Sequence, residues 1–285
     1  MRAIEERLEK SGLLKSLQSI PAREASFAEL SLVHDPRYIE SVARTADAKG
    51  VYLDGDTFAS PQSYQAALLA AGGLIEAVDR VLDRECDQAF AMVRPPGHHA
   101  ESRYAMGFCI FNNVGIAAEY LVKQKGLKRV AVMDYDVHHG NATQHMFYDR
   151  SEIFYLSTHR YPFYPGTGAE DETGSGAGRG YTLNVPMLAG AGDEAYREAF
   201  ESKILPALRE YRPEFLLVSA GFDAHHRDPL GGMKVSEAGF AWMSQSLQEV
   251  AAECCGGKSV YTLEGGYDLE GLAGSVEAVL QILQK

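Results

Sequence analysis

The sequence contains little cysteine. Four residues, Cys86, Cys109, Cys254 and Cys255, occur among 285. None is spaced as a CxxC pair, which argues against a thiolate zinc site and a disulfide framework. Reduced thiols are expected, and with them a cytoplasmic location. Long apolar runs are missing too; nothing approaches the roughly 20 residues of a membrane-spanning helix. The opening residues, MRAIEERLEKSGLL, are charged from Arg2 onward and lack the apolar stretch of a secretion signal. There is no basic excess: Lys and Arg number 27 against 39 Asp and Glu, a formal net charge of −12. That balance disfavours nucleic acid and anionic membranes as partners and is compatible with attraction of cationic substrates. No linker, repeat or low-complexity tract interrupts the chain, so a single domain over residues 1–285 is the simplest organisation.

What is present is enough apolar content, 46%, to bury a core. Short runs rich in β-branched and aromatic residues predict strands at Ala89–Val93, Val130–Asp134, Ile153–Ser157, Tyr181–Val185, Phe215–Ser219 and Ser259–Leu263. Their near-continuous hydrophobicity is what strands covered on both faces require. Helical patterns fall between them at Ser63–Asp83, Asn113–Lys125, Asn141–Asp149, Glu194–Tyr211 and Val235–Glu253. The alternation predicts a three-layer α/β fold, a central mostly parallel sheet flanked by helices. The Gly-rich stretch Thr173–Gly180 reads as one long surface loop.

Polar and Gly-rich clusters follow five of these strands: RPPGHHAE, DYDVHHGN, STHR with YPGTG, SAGFDAHHRDP and EGGYD. Strand ends of this kind face one crevice in open α/β sheets. Asp136 and His138 lie two apart in an extended segment, so their side chains point the same way. With Asp223 as third ligand they suit Zn²⁺, or Fe²⁺, and leave a coordination position open. His98 and His99 read as proton-handling groups, with Asp134 holding one ring and Asn141 orienting the other. His139 points away from His138 and reads as a packed structural residue. His225 and His226 could serve as extra metal ligands, but loop histidines near a site mouth read first as rim residues, outside the catalytic set. Phe108 and Tyr164 are candidate aromatic walls, and Asp56 a loop carboxylate with Asp54 as the competing choice.

Together these motifs resemble the histone deacetylase and acetylpolyamine amidohydrolase superfamily, in particular its class II-like bacterial members. RPPGHHAE, GFCIFNN, DYDVHHGN, PGTG, AGFDAHHRDPLG and EGGYD occur in the family's order, and the resemblance extends from about His34–Tyr38 to Tyr267–Leu272. It implies zinc on Asp136, His138 and Asp223. It implies His99 as general base and then acid, His98 as an electrostatic partner buttressed by Asp134, and Tyr267 as oxyanion donor. Gly107 and Phe108 would line an acyl-lysine channel, with Tyr164 opposite and Asp56 gripping the substrate backbone at the rim. Two structural potassium sites are implied. The inner one matches the carbonyls of Asp134, Asp136, His138 and Thr158 with the side chains of Asp134 and Ser157; the outer one matches Phe147, Arg150, Ile153 and Tyr181.

The implied reaction is hydrolysis of an acylated amine, N6-acetyl-lysine above all, with release of acetate. Three departures stand out. Family members begin with a strand and a His-Pro-Glu-x-Pro-x-Arg segment, whereas Met1–Arg2 falls inside the helix that follows, which implies a truncated or absent edge strand. Tyr164 stands where a channel phenylalanine is usual. Leu230 replaces the acidic gatekeeper of dedicated polyamine deacetylases, which favours acetyl-lysine over acetylpolyamine. Two other readings stay open. A binuclear manganese ureohydrolase would draw on Asp228 as a further ligand, and a non-catalytic acyl-lysine binder would retain only the pocket. Self-association as a homo-oligomer is also open.

Overall fold

The computed structural model describes residues 1–284. In chain order the helices are α1 (Arg2–Ser11), α2 (Phe27–Leu30), α3 (Pro36–Ala43), α4 (Ser63–Leu82), α5 (Asn113–Lys123), α6 (Asn141–Phe147), α7 (Asp193–Ala199), α8 (Leu205–Tyr211), α9 (Glu237–Cys255) and α10 (Leu269–Leu283). The strands are β1 (Val51–Tyr52), β2 (Phe58–Ala59), β3 (Gln88–Ala91), β4 (Val130–Asp134), β5 (Ile153–Arg160), β6 (Thr182–Met187), β7 (Phe215–Ala220) and β8 (Ser259–Leu263). β1 and β2 form a small hairpin; the other six make one parallel sheet in the order β3-β8-β7-β4-β5-β6.

Successive residues of the central strand serve opposite faces. Val130 and Val132 pack with residues of α4, α5 and α6, while Ala131 and Met133 pack with α1 and α7–α10. Each valine or methionine among them, taken fully out of water, contributes on the order of 1.5–3 kcal/mol. This two-sided burial explains why β4 and β7 carry no polar residue before Asp134 and Ser219. Side-chain caps start the helices that follow the loops: Asn112 accepts from Gly115 N–H, Ser236 from Gly239 N–H and Asp268 from Gly271 N–H.

Several boundaries differ from the sequence expectation. The helix expected over Glu194–Tyr211 divides into α7 and α8 around a π-helical turn, Phe200–Ile204. Pro206 lies just beyond that turn and has no N–H to offer the preceding turn's carbonyl, so the wider winding absorbs the defect. β5 runs on to Arg160 because β6 supplies partners for the polar residues Thr158, His159 and Arg160. The stretch Thr173–Gly180 is no simple surface loop: Gly176–Gly178 forms a 3₁₀ turn, and Gly178 is buried against Tyr148 and Arg150. Helix α10 went unread in the sequence, and it covers the sheet beside α1, where Ile4 and Leu8 are buried and Arg7 Nε meets Glu277 at 2.6 Å.

From β4 the chain crosses to β5 on one side, and from the adjacent β7 it crosses to β8 on the other. The carboxyl ends of β4 and β7 therefore flank the point where the connections diverge, the place where an open α/β sheet leaves a crevice.

Candidate active site

Asp136 and His138 leave β4, and Asp223 leaves β7, so the switch point itself brings the three together. One ligand atom from each lies within 4.8 Å of the others. His138 Nδ1 stands 3.0 Å from Asp136 Oδ1 and 3.1 Å from Asp223 Oδ2. The outward oxygens are already held by backbone: Gly265 N–H donates to Asp136 Oδ2 at 2.8 Å and Val137 N–H to Asp223 Oδ1 at 2.8 Å. Both carboxylates are fully buried. Gly265 leaves the space they occupy, since a Cβ there would come within 2.7 Å of Asp136 Oδ2 and closer still to Asp223 Oδ2.

The electrostatics of this cluster call for a cation. Burial alone would depress the His138 imidazole, but Asp223 and Asp136 overcome it and hold its pKa up at about 10. Burial and the neighbouring Asp136 push Asp223 up to about 7. Asp136 is held well below the usual carboxylate range: burial works against this, but the His98 and His138 charges prevail. Two carboxylates and an imidazole nitrogen, buried together and aimed at one point, match the donor set of a zinc-type ion with an open position. The residues present fit such an ion.

The histidine pair sits beside this point. His98 Nδ1 lies 3.0 Å from Asp134 Oδ2, and His98 Nε2 lies 3.9 Å from Asp136 Oδ1. Burial disfavours its cation, but Asp134, Asp136 and Glu264 raise it well above the ordinary histidine value. His99 is pushed the other way, by burial first and then by the His98 charge. One ring is thus a cation and its neighbour a neutral base. His99 Nδ1 meets Asn141 Oδ1 at 2.7 Å, and Asn141 Nδ2 donates to Glu101 Oε1 at 2.6 Å. Glu101, as a carboxylate, only accepts, so the Asn141 amide must turn its NH₂ toward it and its oxygen toward His99. That orientation places the His99 proton on Nδ1 and leaves Nε2 free to accept.

Three supports of this arrangement were not singled out in the sequence. Glu264 Oε2 accepts the N–H groups of Gly97 (2.7 Å) and His98 (3.2 Å), while Oε1 accepts from Ser219 Oγ at 2.9 Å. Tyr155 Oη donates to Asp134 Oδ2 at 3.2 Å and accepts from Gly140 N–H at 3.0 Å. Phe163 stacks on His138 with centroids 5.3 Å apart and planes at 15°. The sequence signal was present for one of them, Glu264, which opens EGGYD, as it was for Glu101, which closes RPPGHHAE.

The candidate wall residues gather over the same point. Tyr164 presents its edge to His99 and His138 at 5.3 and 5.9 Å between centroids. Gly107 (φ +57°) packs on His99, where a Cβ would clash with the ring, and Phe108 follows it at φ +65°, unusual for a bulky residue. Thr57 holds that turn by accepting from Phe108 N–H at 3.0 Å while donating to Asp56 Oδ1 at 3.1 Å, which couples Asp56 to the wall. Asp54 Oδ1 instead caps its own loop, accepting from Asp56 and Thr57 N–H. Phe108 and Asp56 also line a surface cavity of about 480 Å³. Tyr267 packs edge-on to Phe108 at 6.0 Å, and burial with the Asp223 and Asp136 charges keeps its hydroxyl protonated. Asp228 ties Tyr267 to Leu230, accepting Tyr267 N–H on Oδ2 (2.7 Å) and the N–H groups of Leu230 and Gly231 on Oδ1 (2.8 and 3.1 Å).

The remaining candidates divide. His139 uses both nitrogens, on Thr167 Oγ1 (2.7 Å) and Gln144 Oε1 (2.9 Å), and burial with the His159 ring drops its pKa to about 2. It is a structural residue. Asp134 and Ser157 are register partners on adjacent strands, as an inner potassium site would need; Ser157 Oγ meets His159 Nδ1 at 2.9 Å. Phe147 and Arg150 precede β5, Ile153 begins it and Tyr181 immediately precedes β6; Phe147 O accepts from Arg150 N–H (3.0 Å) and Tyr181 O from Tyr155 N–H (3.2 Å). His225, expected at the rim, is 1% exposed and packs against Phe240 instead.

Residues 1–283 match the histone deacetylase domain family. Histone deacetylase 10, chloroplastic, of Oryza sativa subsp. japonica is 45% identical over 263 residues, covering 88% of this chain and 59% of that protein. A probable deacetylase of Archaeoglobus fulgidus is 42% identical over 247 residues, 87% of this chain and 68% of that protein. A histone deacetylase-like amidohydrolase of Pseudomonas aeruginosa is 41% identical over 267 residues, 93% and 70% respectively. The chain spans about six to seven tenths of the length of these relatives. The crystal structure of the HDA15 HD domain superposes with a TM-score of 0.95 at 42% identity, over 99% of this chain and 80% of that one. The parallel sheet and its flanking helices are those of the arginase/deacetylase fold.

Proposed function

The chain belongs to the histone deacetylase family, and from that premise we propose that it hydrolyses the amide bond of an acylated amine, first of all N6-acetyl-lysine in proteins, releasing acetate. The observation that carries this reading is the union of Asp136, His138 and Asp223 around one point, with the His98–His99 pair beside it. These three residues would hold a zinc-type ion, with Fe²⁺ as the other ion of matching chemistry. When bound, such an ion polarises an acyl carbonyl and lowers the pKa of water from 15.7 toward roughly 7.

The chain's own residues have defined tasks in this scheme. His99 Nε2, kept neutral by its buried setting beside the His98 cation, takes a proton from the attacking water. The Asn141–Glu101 relay keeps the His99 proton on Nδ1 throughout. Tyr267 Oη donates to the oxygen on which negative charge develops. The proton held at the histidine pair then passes to the nitrogen of the departing amine. Phe108 and Tyr164 line the path of an aliphatic chain and exclude water from it, while Asp56 accepts substrate N–H groups at the mouth. Potassium at Asp134 and Ser157, and at the carbonyls near Phe147, Arg150, Ile153 and Tyr181, would be structural. A cytoplasmic setting accords with four free cysteines; among the described residues no helix is long and apolar enough to cross a membrane.

Leu230 near Tyr267 offers no carboxylate to a polyamine, which favours acyl-lysine over acetylpolyamine. The binuclear manganese reading loses support because the paired His98–His99 and Tyr267 have no task in it. Retention of Tyr267 with both histidines likewise speaks against a pure binder. The test is turnover of a panel of acetyl-lysine peptides, longer acyl-lysines and acetylated polyamines, with and without chelator. Hydrolysis that is abolished by chelator and restored by zinc is expected; chelator-insensitive turnover, or none on any acyl substrate, would overturn the proposal.

A further inference from the structure

Outside this site, one cluster combines metal-binding side chains with a buried nitrogen that has no partner. His225 and His226 follow Asp223 in the loop after β7, and Glu237 opens α9. One ligand atom from each of the three lies within 4.8 Å of the others. The His225 side chain is 1% exposed, yet its Nε2 makes no hydrogen bond. Glu237 Oε2 stands 3.4 Å from that nitrogen, out of hydrogen-bond alignment.

The surroundings hold the three residues in place without satisfying them. The His225 and His226 rings pack 4.2 Å apart at 38°, and Phe240 stacks on His225 from α9 at 16°. Backbone bonds from His226 N–H to Val235 O (2.9 Å) and from Val235 N–H to Ala224 O (3.1 Å) tie the loop to the segment entering α9. Arg227, in the same loop, pairs with Asp268 at 3.0 Å and Glu270 at 2.6 Å. A buried imidazole nitrogen without a hydrogen bond is costly.

We propose that His225 Nε2, His226 and Glu237 form a second divalent-metal site, selective for a zinc-class ion. Imidazole and carboxylate donors suit Zn²⁺. Bonds of about 2.0–2.1 Å in a tetrahedron set neighbouring donors roughly 3.4 Å apart, and the His225 Nε2 to Glu237 Oε2 separation is 3.4 Å. Coordination through Nε2 moves the His225 proton to Nδ1, so the long contact from Arg227 N–H to Nδ1, 3.2 Å, gives way to a metal–nitrogen bond. Three protein donors leave a fourth position for water on the His226 side, which is exposed. The ion ties the loop bearing Asp223 and Asp228 to the start of α9, independently of the ion at Asp136.

Equilibrium dialysis of the full chain against micromolar free zinc, followed by elemental analysis, tests this. Two ions per chain are expected for the unmodified protein and one each for His226→Ala and Glu237→Gln. Asp223→Asn is expected to keep the second ion while losing the first. Circular dichroism verifies folding, and exposed His226 makes its substitution the safer of the two. A single ion that survives His226→Ala but not Asp223→Asn overturns the second site and leaves the catalytic proposal standing. A single ion with the opposite pattern upholds the second site and removes the first. Two ions retained by both His226→Ala and Glu237→Gln also overturn it.

Discussion

Removing the metal should leave a proton in its place. Without an ion, His138 Nδ1 faces Asp136 and Asp223 at 3.0 and 3.1 Å, and its pKa rises to about 10. That nitrogen must be deprotonated to coordinate a metal. At pH 7 the deprotonation spans about three pH units at 1.36 kcal/mol each, roughly 4 kcal/mol, or about 10³ in apparent affinity. Zinc affinity should therefore climb about tenfold per pH unit between pH 7 and 9. Calorimetry at pH 7 in two buffers of different ionisation enthalpy should show about one proton released per ion, with a further fraction from Asp223. The same raised pKa affects stability. For a histidine lifted above its unfolded value of 6.5, the contribution is fully present below pH 6.5 and is lost as pH rises through about 10. The metal-free chain should thus melt at progressively lower temperature from pH 6.5 upward, and the gain in Tm on adding zinc should widen. An affinity flat between pH 7 and 9, with no proton released, would refute the reasoning.

Tyr267→Phe should lower kcat on acetyl-lysine by about 10²–10³ with metal content unchanged, by comparison with loss of one oxyanion donor; near-normal turnover removes Tyr267 from the chemistry. Gly265→Ala puts a methyl group against Asp136 and Asp223, so elemental analysis should find its catalytic ion lost at zinc levels that saturate the unmodified chain. Glu101→Gln keeps the shape but lets the Asn141 amide reverse, removing a charge-assisted bond of about 1.5–3 kcal/mol. Its kcat should fall several-fold with KM unchanged, and a matching rise in KM would show that Glu101 acts on substrate binding instead.

The sheet and the meeting of Asp136, His138 and Asp223 were legible because each depends on short-range pattern. Val130–Asp134 and Phe215–Ser219 announce themselves as apolar runs, and the three side chains follow shortly after their ends. What escaped depends on contacts between distant segments. Glu264 acts on Gly97 and His98 from the other end of the chain, and Thr57 reaches Phe108 from a hairpin too short to predict. Phe163 is an ordinary aromatic until the fold stacks it on His138. His225 looked like a rim residue because the sequence does not reveal that α9 closes over it. The π turn before Pro206 falls in the same class, a local defect whose winding depends on packing.

The position of zinc in a crystal of the loaded protein tests the proposed catalytic site most directly. Anomalous diffraction at the zinc edge should place a strong peak among Asp136, His138 Nδ1 and Asp223, at bond lengths of about 2.0–2.2 Å, with one side open toward His99 and Tyr267. A map with no peak at that point, or with a fourth protein ligand closing the open side, would contradict it.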